Sequence, residues 1–263
     1  MDLNRTFARL ADDDTITLDP GWAQGRALFG GLSGGLMLAK LQHAIDRPRR
    51  LRSLTVSFVG PIDTSGEIGL QAQILRVGKS VLQGEVHLTQ NGGVQAVLLA
   101  SFGEARESAA RIAADSPPPA MPQVGQIPAI PAGVPDMPAF LQHFDIRWAH
   151  GPLPFSGSTQ AEFGGYLRFR GQEGAFTLPH LVTLTDAFPP AVVTLLPQPA
   201  PASSLTWTLE LLHEPDGADM ADFWQYRVRT DYAADGYGHT EARIWDKNGR
   251  LMLISRQTVT VFG

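Results

Sequence analysis

The hydrophobic pattern changes period along the chain, and it does so twice in the same order. Residues 28–45 place Leu36, Met37, Leu38, Ala39, Leu41, Ala44 and Ile45 behind Gly30, Gly31, Gly34 and Gly35. This predicts a glycine-rich helix entry and an apolar helix that Asp46-Arg47-Pro48 stops. Short alternating stretches follow at 53–59, 68–77, 81–89 and 94–102, separated by Pro61-Ile62-Asp63, Gly78-Lys79 and Asn91-Gly92-Gly93. Such spacing predicts an antiparallel meander. The second half repeats the order, with an apolar run at 178–196, a proline stop at 197–201, and strands near 204–212, 223–231, 239–246 and 250–261. Asn248-Gly249 stands where Asn91-Gly92 stands in the first half, and an Asn-Gly pair between alternating runs signals a tight hairpin whose two central residues take positive φ.

Two copies of one unit point to a fused duplication rather than a solenoid. The expected fold class is α+β, a double hotdog: two helix-wrapped antiparallel sheets in one chain, joined edge to edge so that two exposed edges disappear. The N-terminal unit is placed at 1–110 and the C-terminal unit at 141–263. Between them, 111–140 is read as a linker crossing the surface, because residues 116–138 hold eight of the twenty prolines and such a segment continues neither a helix nor a central strand. Two unrelated α+β domains of similar pattern are the plainer alternative.

Composition narrows the function classes. The 263 residues are 43% hydrophobic with a formal net charge of −5, which fits a globular chain and leaves no basic stripe to neutralise phosphates, so nucleic acid is not an expected partner. There is no cysteine, which removes disulfides, thiolate nucleophiles and Cys-ligated zinc together. Met1 to Asp14 shows no basic region leading into an apolar run, and no later run has membrane-spanning length, so a cytoplasmic protein without membrane contact is expected. Exposed sheet edges and scattered apolar surface suggest a homodimer or higher homo-oligomer.

Several motifs carry candidate chemistry. Gly31-Leu32-Ser33-Gly34-Gly35 fits the G-x-S-x-G nucleophile elbow, which would make Ser33 a serine nucleophile. An elbow requires preceding parallel strands, and about thirty residues are too few for two such units. The same glycines also suit a helix start whose bare backbone admits close approach and whose free N–H groups could polarise a carbonyl. Gly78-Lys79-Ser80 has Gln73 where a phosphate-binding loop needs its first glycine, and reads as a turn. The seven histidines show no paired ligand spacing, so neither a metal nor another cofactor is expected. Asp186 lies inside an apolar run, where a carboxylate is costly unless paired or used; the plain reading is a cap at a helix end before Pro189-Pro190. If Ser53 and Ser204 are equivalent, Asp186 counts to Gly35, and from the Asn-Gly turns Gln257 counts to Ala100, so both polar groups belong to one copy only. Asp186, a hydroxyl from Ser204 or Thr206, and Gln257 form a coherent set for activating water without a covalent intermediate.

These blocks are familiar in combination. Phe29-Gly30-Gly31, residues 54–61, Gly78-Lys79-Ser80, Gln90-Asn91-Gly92 and Ala100-Ser101-Phe102, followed by Thr185-Asp186, Ser204-Leu205, His213-Glu214-Pro215, residues 246–251 and Ser255-Arg256-Gln257, resemble in order the type II acyl-CoA thioesterases, a double-hotdog family. The resemblance implies acyl-CoA as substrate, with an Asp, a Thr and a Gln orienting the hydrolytic water. By position these fall on Asp186, Ser204 and Gln257, serine replacing threonine. It also implies substrate-binding roles for Phe29, Gly30 and Gly31, and an acyl chain in a crevice where the halves meet. Ala187-Phe188-Pro189-Pro190 departs from the pattern and is expected to kink the helix. A non-catalytic acyl-binding protein and a serine hydrolase using Ser33 remain as alternatives; no D-x-N-P-x-H run supports a hydratase.

Overall fold

The computed structural model describes residues 1–113, 116–134 and 137–262. The chain opens with helix α1 (Leu3–Arg9), strand β1 (Thr15–Thr17) and a small hairpin of β2 (Ala23–Gln24) and β3 (Ala27–Leu28). Helix α2 (Gly30–His43) then leads into β4 (Arg50–Phe58), β5 (Glu67–Val77), β6 (Val81–Gln90) and β7 (Gly93–Gly103). After the proline-rich segment come β8 (Phe144–His150), β9 (Glu162–Phe169), helix α3 (Leu178–Thr185), β10 (Ala202–Leu211), β11 (Trp224–Ala234), β12 (Tyr237–Trp245) and β13 (Leu251–Val261).

Eleven strands form one antiparallel sheet in the order β1-β5-β6-β7-β4-β10-β13-β12-β11-β9-β8. The halves meet at β4 and β10, where Thr55 faces Thr208 and Val56 faces Trp207. The strands alternate as their sequences require: Leu82, Val86 and Leu88 of β6 and Ala96, Leu98 and Phe102 of β7 point into the core. Helices α2 and α3 lie against that inner face. Both are apolar around most of their circumference, and a helix of that kind is stable only when enclosed; every residue of α3 is buried. Their close antiparallel contact depends on glycine. A Cβ at Gly35 would strike the Thr183 hydroxyl and the Pro179 carbonyl, and one at Gly34 would strike Trp207. The glycine run therefore admits a second helix and a tryptophan.

The register revises part of the repeat. In β4 the bulge opposite β7 falls at Arg52, and in β10 the bulge opposite β13 falls at Leu205. Superposing the bulges equates Leu51 with Ser204 and Ser53 with Thr206. Leu54 then matches Trp207, and because these pair with Ala100 and Gln257 respectively, the equivalence of Gln257 and Ala100 holds. The equivalence of Ser53 and Ser204 does not, and with it goes the match of Asp186 to Gly35. Counted from the helix starts at Gly30 and Leu178, Asp186 corresponds to Leu38, so the carboxylate still belongs to one copy.

Two further expectations change. Asn91-Gly92 adopts positive φ at both residues, but at Asn248-Gly249 only the glycine does. There the Asp246 carboxylate accepts from the N–H groups of Asn248 and Arg250, which builds a longer loop with glycine in the left-handed position. The tight turn of the second half is Asp235-Gly236, between Ala234 and Tyr237. The apolar run 178–196 is not one helix: α3 stops at Thr185 and a separate 3-10 turn covers Ala191–Thr194. The described part of the segment between the halves lies along the second half, with Ser116 bonded to Arg243 and Trp245, Ile127 to Arg147, and Ile130 to Ile146 and Arg170.

Candidate active site

Asp186 is the first residue past the last turn of α3, with φ −92° and ψ 2°, so the plain reading of its position as a helix-end cap is correct. Its side chain does something else. Gln257 on β13 donates from Nε2 to Asp186 Oδ1 at 2.6 Å, across the 71 residues that separate them. The other carboxylate oxygen faces the start of α2: a Cβ placed on Gly30 would lie 2.9 Å from Oδ2 and 3.2 Å from the Phe58 ring. Glycine is needed at position 30 because any side chain would push into the carboxylate.

Burial dominates the electrostatics. It raises the Asp186 carboxyl to about 7, while the Gln257 amide and the Gly31 backbone N–H each pull it back down. Asp186 and Gln257 both remain partly solvent-accessible. A carboxylate that titrates near neutrality and is reachable by solvent is well matched to taking a proton from water.

The hydroxyl candidates separate cleanly. Ser204 lies opposite Val259, and Gln257 lies opposite Trp207, so Ser204, Val259, Gln257 and Trp207 project from the inner face. Thr206 lies opposite Thr258 on the outer face and is exposed. Ser204 is diagonal to Gln257, an offset of roughly 7–8 Å, and forms no hydrogen bond to the Asp186–Gln257 pair among the described residues.

Phe29 does not offer its ring to a ligand. It is fully buried, stacked on Phe140 at 4.0 Å and near Trp22, so the substrate contact expected of it is replaced by anchoring the helix start that Gly30 and Gly31 form. Ser33 is also buried, with its hydroxyl donated to the Phe29 carbonyl at 3.3 Å and no base bonded to it among the described residues. That geometry does not make an activated nucleophile.

One group escaped sequence reading. Tyr226 on β11 is buried, and its ring stacks on Phe188 at 4.7 Å. Burial, and after it the charge of Asp186, raises its phenol. Nothing along β11 marks it out; only the packing of the segment after α3 brings it near. That packing also explains the consequence of Pro189-Pro190. Phe188 is held among Trp148, Phe163 and Tyr226, so the chain leaves the helix along a fixed path, and the carboxylate stays in register with Gln257.

Among the described residues no His, Asp and Glu cluster is placed to hold a metal ion, and no helix is long and apolar enough to cross a membrane.

Solved structures with this arrangement cover nearly the whole chain. A protein of unknown function with a hot dog fold from Alicyclobacillus acidocaldarius is 21% identical, with 98% of each chain covered and a TM-score of 0.84. The tesB protein of Mycobacterium avium subs paratuberculosis is 14% identical over 99% of this chain and 100% of its own, at 0.80. The acyl-CoA thioesterase II TesB2 of Mycobacterium marinum is 18% identical over 97% of this chain and 98% of its own, at 0.73. At these identities the likeness establishes the double hotdog. No curated protein sequence matches. Residues 18–103 match the acyl-CoA thioesterase N-terminal domain and residues 110–261 the acyl-CoA thioesterase C-terminal domain, and the chain thus belongs to the acyl-CoA thioesterase family.

Proposed function

We propose that this protein hydrolyses acyl-CoA to free acid and CoA by direct attack of water, with Asp186 as general base and Gln257 and Ser204 as its partners. The observation that carries the proposal is the 2.6 Å contact between Gln257 Nε2 and an Asp186 carboxyl raised to about 7. Gln257 occupies Oδ1, the Gly31 N–H also points at the carboxyl, and Oδ2 lies on the Gly30 side. A water held there gives one proton to the Asp186 carboxylate as its oxygen adds to the thioester carbon; the C–S bond then breaks and the CoA sulfur leaves, taking that proton back from Asp186 to become the thiol. General-base assistance of this kind contributes about 10²–10⁴ in rate.

The remaining acceleration needs donors for the developing oxyanion. The first N–H groups of α2 have no partner within their own helix. The Gly31 N–H is directed at Asp186, which leaves the Gly30 N–H as the donor for the thioester oxygen. Ser204 orients the water through its position on the same inner face. The test is thiol release from acyl-CoA substrates of graded chain length, with wild type and Asp186→Asn compared. Turnover that falls by at least a hundredfold in the variant supports the proposal. Absence of turnover on every chain length would favour an acyl-binding protein instead, and turnover indifferent to the substitution would remove Asp186 from the chemistry.

A further inference from the structure

The candidate active site has an aromatic wall to which the proton transfer assigns no role. Phe58 is the last residue of β4 and faces Ala96 of β7, which is fully buried. Its ring therefore turns to the inner face, where it is only partly buried against the core. A Cβ on Gly30 would lie 3.2 Å from Phe58 Cζ and 2.9 Å from Asp186 Oδ2. The ring tip and the carboxylate oxygen thus flank one bare Cα, no farther apart than those two distances together. Non-bonded carbon contacts need about 3.5–4.0 Å, so the interval between ring and carboxylate takes a single row of atoms and has no room for a branch.

Hydrolysis places the substrate beside that ring. A water bonded to Oδ2 has its oxygen roughly 2.6–3.2 Å away, and the carbon it attacks lies roughly 3–3.5 Å beyond the water. The thioester carbon is therefore held about as far from Oδ2 as the ring tip is, on the same Gly30 side, and one of its two substituents rests on the ring. The surroundings favour the acyl chain over the CoA sulfur. Phe58 follows Ser57, which pairs with Thr206, and the bulged Leu205 before Thr206 adjoins it across the junction of the halves. Leu205 is 39% exposed, so accessible apolar surface continues outward from the ring. Hydrocarbon gains from such a surface; the amides and phosphates of CoA do not. The aromatic wall also belongs to one copy only. Phe58 lies four residues after Leu54, and four residues after Trp207, which matches Leu54, stands the buried aliphatic Leu211.

We propose that Phe58 is the specificity-determining residue for the acyl group: its ring lies against the first carbons beyond the thioester, accepts a straight chain, and excludes branching at the carbon next to the carbonyl. The class of ligand rests on the hydrolase reading; the wall rests on the distances over Gly30.

The experiment compares two isomers of equal carbon number, butanoyl-CoA and 2-methylpropanoyl-CoA, in wild type, Phe58→Ala and Phe58→Leu, the last of which keeps most of the packing against the core. The expected result is a wild-type preference for the straight isomer of about tenfold or more in kcat/KM, the range one methyl group commands in a fitted pocket. Phe58→Ala should reduce that ratio about tenfold through a gain on the branched isomer, and Phe58→Leu should fall between. The same ratio is read as affinity, by calorimetry, in Asp186→Asn with and without Phe58→Leu, so that absence of turnover, which defeats the hydrolase reading, still leaves selection by the ring open to measurement. No preference in wild type, binding of neither isomer, or an equal change on both isomers in both variants would overturn the proposal, the last because it is the mark of packing alone. A change confined to the preference for CoA over N-acetylcysteamine thioesters of one acyl group would place the ring on the CoA side and overturn it as well.

Discussion

Replacing Asp186 by asparagine should make the protein more stable at alkaline pH while removing its chemistry. The carboxyl is raised from 3.8 to about 7, chiefly by burial, so the folded state holds a proton that the unfolded state has released. The sign follows from linkage: below about pH 4 both states are protonated and the group is neutral toward folding; between pH 4 and 7 stability falls; above pH 7 the full cost of the buried charge is present. At about 1.36 kcal/mol per pH unit the upper bound is roughly 4 kcal/mol. Asp186 is partly accessible, and solvent screening reduces this to roughly 1–2 kcal/mol. Asparagine fills the same space, accepts from Gln257 and carries no charge to desolvate. Thermal unfolding at pH 5 and pH 8 measures the effect, with a gain of about 2–8 °C for Asp186→Asn at pH 8 and a smaller one at pH 5. A variant that melts below wild type at pH 8, or whose advantage does not grow between the two pH values, refutes the reasoning.

Four substitutions test the rest of the site. Gln257→Ala removes a hydrogen bond that holds the Asp186 carboxyl down, so the rising limb of kcat/KM against pH should move to higher pH and the plateau should fall by about tenfold or more; an unmoved limb counts against the pairing. Ser204→Ala should lower kcat with KM little changed, whereas Thr206→Ala, on the opposite face, should leave both as they are; steady-state kinetics of the two separates the hydroxyls, and the reverse outcome would transfer the role to Thr206. Gly30→Ala sets a methyl 2.9 Å from Asp186 Oδ2, and a displacement of that order should cost on the order of 10² in kcat, with wild-type turnover showing that the carboxylate does not need its present position.

The sequence carried the strands well, because alternation fixes which side chains turn inward regardless of partners. Residues 81–89 and 94–102 are observed as Val81–Gln90 and Gly93–Gly103. It also carried the meeting of Asp186 and Gln257, since a carboxylate in an apolar run and an amide in a half-buried strand both call for a partner. What it could not carry depends on packing at long range. β8 and β9 were missed although Phe144, Ile146 and Trp148 alternate with Asp145 and Arg147; in β9 the Gly164-Gly165 pair, which accommodates the Tyr226 and Arg147 carbonyls, carries no side chains to mark the period. The Ser53–Ser204 match failed because the shared Ser-Leu-Thr lies in different registers: Leu54 is buried just past its bulge, whereas Leu205 is itself the bulged residue and is exposed, and no residue type announces a bulge there. Tyr226 became visible only once the segment after α3 was packed against β11.

The account turns on Asp186 being the group whose ionisation switches hydrolysis on. The pH dependence of kcat/KM for thiol release, measured for wild type and Asp186→Asn on one acyl-CoA that wild type turns over, tests this most directly. Wild type should rise with a slope of one through about pH 7 and level off above it, while Asp186→Asn should be at least a hundredfold slower at pH 8 and show no such rise. A wild-type profile flat from pH 5 to 9, or a variant that keeps the same rise, would contradict it.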